Sequence, residues 1–306
     1  MRRSMCCAVI SNPNTMQTLL SLIARAEREK KAIGHFNIGN LEQLKAIAHV
    51  GMKLDVPVII GVSEGEREYL GVQHVVDFVK SYNTQHAREG GFALFLNADH
   101  THSLEKARDA ALAGFDAVLF DGGKLPLEEN IAKTKEAVLA IRKINPAIVV
   151  EGELGYIGSS SEIFKETPAG AALRPEDLTS PKDAARFVKE TGVDLLAPAV
   201  GNLHGMSVSV PNPRLDIARI SAIRASAGVP LVLHGGSGIR EEDFIAAIDA
   251  GISTVHISTE LRYVWRKELE EVLKEHPDEI APSKMMPAVV REIERVVEER
   301  IRLFNK

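Results

Sequence analysis

The sequence predicts an α/β fold, a (β/α)8 TIM barrel with an extra C-terminal helix, and three observations predict it. Short, near-continuously apolar runs recur along the chain, as strands buried on both faces require. Amphipathic stretches of helical period separate them, so parallel strands joined by right-handed crossovers are expected. Polar residues cluster in or just after those runs, where a barrel keeps its mouth. The alternative is a doubly wound open sheet, but no Gly-rich dinucleotide turn follows the first run.

In order, the strand candidates are "AIGHFNI" (32–38), "PVIIGVS" (57–63), "FALFLNA" (92–98) and "AVLFDG" (117–122). They continue with "AIVVEGEL" (147–154), "DLLAPAV" (194–200), "PLVLHGG" (230–236) and "STVHIS" (253–258). Between them, "LEQLKAIAHVGMKL", "LEKARDAALAGF" and "PLEENIAKTKEAVLAIRKI" read as helices. The tail "PAVVREIERVVEERIRLF" has apolar residues at helical spacing and adds a helix, packed on the barrel or on a neighbouring subunit. The segment 156–181 is long and rich in Ser, Gly and Pro; after the fifth strand it reads as a mobile lid, or else as an inert insertion. No linker divides the chain, so all 306 residues are read as one barrel domain, with 1–14 a loose extension.

Composition narrows the function. The hydrophobic fraction, 45%, supplies a large core, and the net charge of −5 comes without a long block of one sign. Neither a nucleic-acid nor a membrane surface is expected. Cys6 and Cys7 are adjacent, which suits neither a disulfide framework nor a zinc ribbon. The apolar stretch near the start is too short and broken for a signal peptide, so a reduced, cytoplasmic setting is expected.

The chemistry lies in the polar positions. Asp99 and His100 follow the third strand, Asp121 ends the fourth, and Glu151 and Glu153 sit in the fifth. His204 follows the sixth, His234 ends the seventh, and His256 lies in the eighth. His49, His74, His86 and His276 fall on helices or helix ends and are set aside, while His35, inside the first strand, reads as a barrel-wall residue or else a functional one. Three imidazoles from separate strand ends, with a coordination position left open, make up a catalytic zinc site. Asp99 beside a ligand is then a general base, or else an orienter of a metal-bound histidine. "HGGSGI" (234–239) and "ISTE" (257–260) follow strands seven and eight, where barrels frequently bind phosphate through backbone N–H groups.

These residues carry a resemblance to the class II, metal-dependent ketose-bisphosphate aldolases. It covers nearly the whole chain through "GHFNIGNLEQLKAI", "VPVIIGVSEGEREYLG", "ADHTHSLEKARDAALAGFDAVLFDG", "VEGELG", "GNLHG", "PLVLHGGSGI" and the closing "RLFNK". The resemblance implies that His100, His204 and His234 hold zinc or another divalent metal, and that Asp99 moves the proton at the C4 hydroxyl. It assigns Glu153 and Asp121 to a secondary metal position and Glu162 in the lid to protonation of the carbanion. Asn37, Ser63, Gly205, Gly235, Gly236, Ser237, His256, Ser258 and Thr259 become substrate or phosphate positions, some shared with a monovalent cation, Na+ or K+. The implied reaction is reversible cleavage of fructose 1,6-bisphosphate to dihydroxyacetone phosphate and glyceraldehyde 3-phosphate, in a homo-oligomer, dimer or tetramer.

The chain departs from that pattern at four places. Asn97 stands where the family usually has histidine, and His256 stands where it has an asparagine contacting the enediolate. "HGMSVSV" lacks the Tyr and Lys often found near the phosphate, with Val208 in the stretch and Arg214 or Arg262 as candidate replacements. The loop "ELGYIGSSSE" is one residue out of register at the acid. Alternatives are therefore an aldolase for tagatose 1,6-bisphosphate or another phosphorylated ketose, a zinc hydrolase, or a catalytically altered barrel relative.

Overall fold

The computed structural model describes residues 18–88, 91–158, 162–164, 174–207 and 212–306. Eight strands close into a barrel in sequence order: β1 (Ile33–Asn37), β2 (Pro57–Val62), β3 (Ala93–Thr101), β4 (Ala117–Phe120), β5 (Val149–Leu154), β6 (Leu195–Pro198), β7 (Leu231–Leu233) and β8 (Ile252–Ile257). Every neighbouring pair is parallel, including the closing β1–β8 pair. The open-sheet alternative is thereby excluded.

Among the described residues the helices are α1 (Leu19–Arg28), α2 (Leu41–Leu54), α3 (Glu64–Leu70), α4 (Val72–His86), α5 (Leu104–Ala113) and α6 (Leu127–Ile144). They continue with α7 (Pro181–Thr191), α8 (Ile217–Ala227), α9 (Glu241–Ala250), α10 (Thr259–Glu275) and α11 (Pro282–Phe304). Local chemistry sets their ends. Asn40 caps α2 by accepting from the Gln43 N–H, and Asp55 closes it in the left-handed conformation. Ser63 and Glu66 form a reciprocal capping box that starts α3 directly after β2.

The tail helix α11 lies on its own barrel, against α2, α9 and α10, and buries Val289, Ile293, Val297 and Phe304. At the opposite end α1 plugs the barrel floor: Leu19, Leu22 and Ile23 join Ile33, Ile59, Phe95, Val149 and Val232 in one apolar cluster. No helix among the described residues is long and apolar enough to cross a membrane.

One boundary changes the site. β3 does not stop before the Asp-His pair but runs through it to Thr101. Ala98 pairs with Val118 and Thr101 with Phe120, so β3 carries one residue more than β4 over that span. This is a β-bulge, and it re-aims the side chains it carries. His100 sits in it with φ at +42°, a conformation rare for a residue with a Cβ.

Candidate active site

The predicted histidines converge. His100 on β3, His204 after β6 and His234 after β7 have ring centroids 4.7, 5.1 and 5.7 Å apart. Each ring is held through one nitrogen, which frees the other. His100 Nδ1 donates to Asp121 at 2.8 Å, His204 Nδ1 to the Gly158 carbonyl at 2.8 Å, and His234 Nε2 to Glu151 at 2.8 Å. His204 Nε2, His234 Nδ1 and Glu153 Oε2 are buried without a hydrogen-bond partner. Together with His100 they offer ligand atoms within 4.8 Å of one another.

This arrangement fits a divalent metal. Buried polar atoms otherwise find partners, and here several face one point with their outer nitrogens already oriented, as ligating histidines usually are. Asp121 and Glu153 play different parts. Asp121 orients His100 and also accepts from the Gly123 N–H at 3.0 Å, whereas Glu153 joins the candidate ligands.

The charges follow from burial and proximity. Burial works against charge on His100, but Asp99, Asp121 and Glu153 push its pKa up to about 10. Burial, then the neighbouring His100 and His234, push His204 down to about 3, so it is a neutral imidazole with a lone pair to give. Burial and Asp121 raise Glu153 well above the usual carboxylate range. Burial alone would raise Asp99 too, but His100, His256 and His35 outweigh it and hold it well below.

Asp99 is 2% exposed and lines the cleft beside the metal candidates. Asn37 Nδ2 donates to its Oδ2 at 2.9 Å, and the buried Arg67 donates to its backbone carbonyl at 3.1 Å. Ser63, Gly205, Gly235, Ser237, Ser258 and Thr259 line the same cleft. Gly235 has φ at +62°, and a Cβ there would strike the Leu203 carbonyl, so no other residue fits the turn. Gly236 lies directly behind, its N–H bonded to the His256 carbonyl at 3.0 Å. Ser237 Oγ accepts from the Glu260 N–H at 3.1 Å and ties this turn to the start of α10.

One predicted residue stands apart from the cleft. Glu162 is solvent-exposed, with its carbonyl bonded to the Met206 N–H at 3.0 Å, and it does not line the cleft. That contact flanks a short bridge between Ile163 and Met206. Of the two candidate arginines, Arg262 lines the cleft, while Arg214 is bound to Asp243 of α9 at 2.6 Å. Val208 and, within 156–181, residues 159–161 and 165–173 lie outside the described residues.

Sequence reasoning passed over Glu66, which lines the cleft and accepts from Asn37 Nδ2 at 3.1 Å and from the Ser63 N–H at 2.7 Å. The spacing Ser63–Glu66 at a strand end was the available signal, because it marks a capping box. His35, read as wall or else as functional, stacks on His256 within the barrel.

Comparison with known proteins agrees with this geometry. The class-II fructose-bisphosphate aldolase family matches residues 17–306. A fructose-bisphosphate aldolase of Geobacillus stearothermophilus is 35% identical over 89% of this chain and 91% of its own. One of Staphylococcus epidermidis is 32% identical over 94% and 96%. The crystal structure of the YdjI aldolase from Escherichia coli K12 superimposes with a TM-score of 0.76 at 28% identity, covering 95% of this chain and 97% of that one. The chain belongs to the class II fructose-bisphosphate aldolase family.

Proposed function

We propose that the protein is a metal-dependent aldolase that reversibly cleaves fructose 1,6-bisphosphate to dihydroxyacetone phosphate and glyceraldehyde 3-phosphate. The observation that carries this reading is the convergence of His100, His204 and His234 next to the buried carboxylate of Asp99. Zinc suits three imidazoles with an open position. When bound, such an ion supplies Lewis-acid stabilisation of the negative charge that develops on a substrate oxygen.

The chain's own groups do the rest. Asp99, ionised and steadied by Asn37, accepts the proton of the C4 hydroxyl as the C3–C4 bond breaks. The backbone around Gly235 and Ser237, with Ser258 and Thr259 at the start of α10, forms a cradle for one phosphate, and Arg262 adds a cation. A monovalent cation beside that phosphate belongs to the same proposal.

A second reading keeps the reaction and changes the sugar. His256 places an imidazole beside Asp99, and that favours a ketose phosphate of different shape, such as tagatose 1,6-bisphosphate. Coupled cleavage assays on zinc-loaded and EDTA-treated protein decide. Metal-dependent triose phosphate production from fructose bisphosphate is expected; a preference for tagatose bisphosphate would install the second reading. Zinc-replete protein that cleaves no phosphorylated ketose would overturn both.

A further inference from the structure

His35 and His256 are register partners across the β1–β8 pair. Their rings stack with centroids 3.4 Å apart and planes within 2° of parallel. Asn97 Nδ2 donates to His35 Nε2 at 3.0 Å and pins that ring from β3. The ring fills the space that a Cβ at Gly61 on β2 would need. On the opposite side His256 meets His234, with centroids 3.9 Å apart. His256 is therefore gripped on both faces and cannot turn without displacing a neighbour.

What the grip presents is unusual. Both nitrogens of His256 are buried and lack a hydrogen-bond partner, as does Asp99 Oδ1. Nδ1 of His256 lies 3.5 Å from that oxygen, and the ring lines the cleft. The cost of burying unpaired polar atoms points to a ligand that completes them.

We propose that His35 is a positioning residue that acts through His256, holding its ring so that one nitrogen addresses Asp99 and the other a substrate hydroxyl next to the bond that breaks. The inference rests on the aldolase reading and deepens it. Asn97 and Gly61 belong to the same device, one by anchoring His35 and the other by making room for it. A metal ion shared by His35, Asp99 and His256 is the competing use of these atoms. The stacking argues against it, because imidazole lone pairs lie in the ring plane and two parallel planes do not meet at one ion.

A double-mutant cycle on the zinc-loaded enzyme with fructose 1,6-bisphosphate tests this. His35→Ala should lower kcat about tenfold, with KM and bound zinc little changed. In a His256→Asn background the same change should move kcat less than about twofold, because the group it acts through is gone. An equal loss in both backgrounds, or none in either, overturns the proposal; a purely structural role would lower Tm without the kcat difference. Should His35→Ala fail to fold, Asn97→Ala releases the same ring by deleting one hydrogen bond, and the same split is expected. Nitrogen-15 NMR of the imidazoles reads the positioning without turnover. Averaged His256 signals in the variant support it and unchanged ones refute it, even if the wild-type protein cleaves no ketose phosphate and the aldolase reading itself falls.

Discussion

Glu151 and His234 form a buried pair beneath the cleft, with His234 Nε2 donating to Oε1 at 2.8 Å and exposures of 3% and 1%. The bond fixes which nitrogen of His234 carries the proton and leaves Nδ1 as the donor to a metal. Glu151→Ala should therefore weaken zinc binding about 10–100-fold while leaving the barrel folded. Competition against a calibrated chelator measures it, and unchanged affinity would return Glu151 to a packing role.

Asp99 is tested by separating chemistry from metal retention. Asp99→Asn keeps the shape and removes the base, so kcat should fall about 100-fold or more with zinc content unchanged. Loss of zinc in that variant would show that Asp99 holds the histidines instead.

Metal binding should be strongly pH-dependent. In the metal-free chain His100 is held protonated up to about 10, and a cation must displace that proton. Zinc affinity should rise with pH, about tenfold per unit between roughly pH 6 and 8, if one proton leaves per ion. Titration calorimetry in buffers of different ionisation enthalpy counts the protons. A flat profile would mean that His100 is already neutral.

Buried His35 predicts the acid limb of stability. Its pKa is lowered from 6.5 to about 4, mainly by burial, so the folded state favours the neutral ring. That contribution is fully present above pH 6.5 and is lost as pH falls toward about 4. It is worth on the order of 3 kcal/mol at most. Urea midpoints of metal-free protein should drop over that window, and His35→Gln should flatten the drop.

Much of the barrel could be read from sequence because strands buried on both faces leave continuous apolar runs, and all eight candidates coincide with barrel strands. Their ends were harder. β3 runs past Ala98 because a bulge against β4 lengthens it, and pairing between distant segments leaves no local mark. α1 was passed over although its signal is local: Thr18 caps it, and Leu19, Leu22 and Ile23 stand at helical spacing on the face it buries. In the site, His100, His204 and His234 could be found because each stands at a strand end in its own segment. The set of His35, Asn97 and His256 could not, since it exists only through the registers of β1 with β8 and of β3 with β2. Glu162, the nearest acid in the loop that the resemblance makes a lid, stands outside the cleft beside the bridge between Ile163 and Met206.

The apolar stopper that α1 puts into the base of the barrel has a consequence for traffic. Among the described residues, Leu19, Leu22 and Ile23 pack with Ile33, Ile59 and Phe95 at the base, so the cleft has no route through its floor. Whatever enters head-first must back out the same way, so the two fragments of a cleaved molecule cannot leave by opposite routes. Entry and exit then share the mouth that Asp99, His234 and Arg262 line.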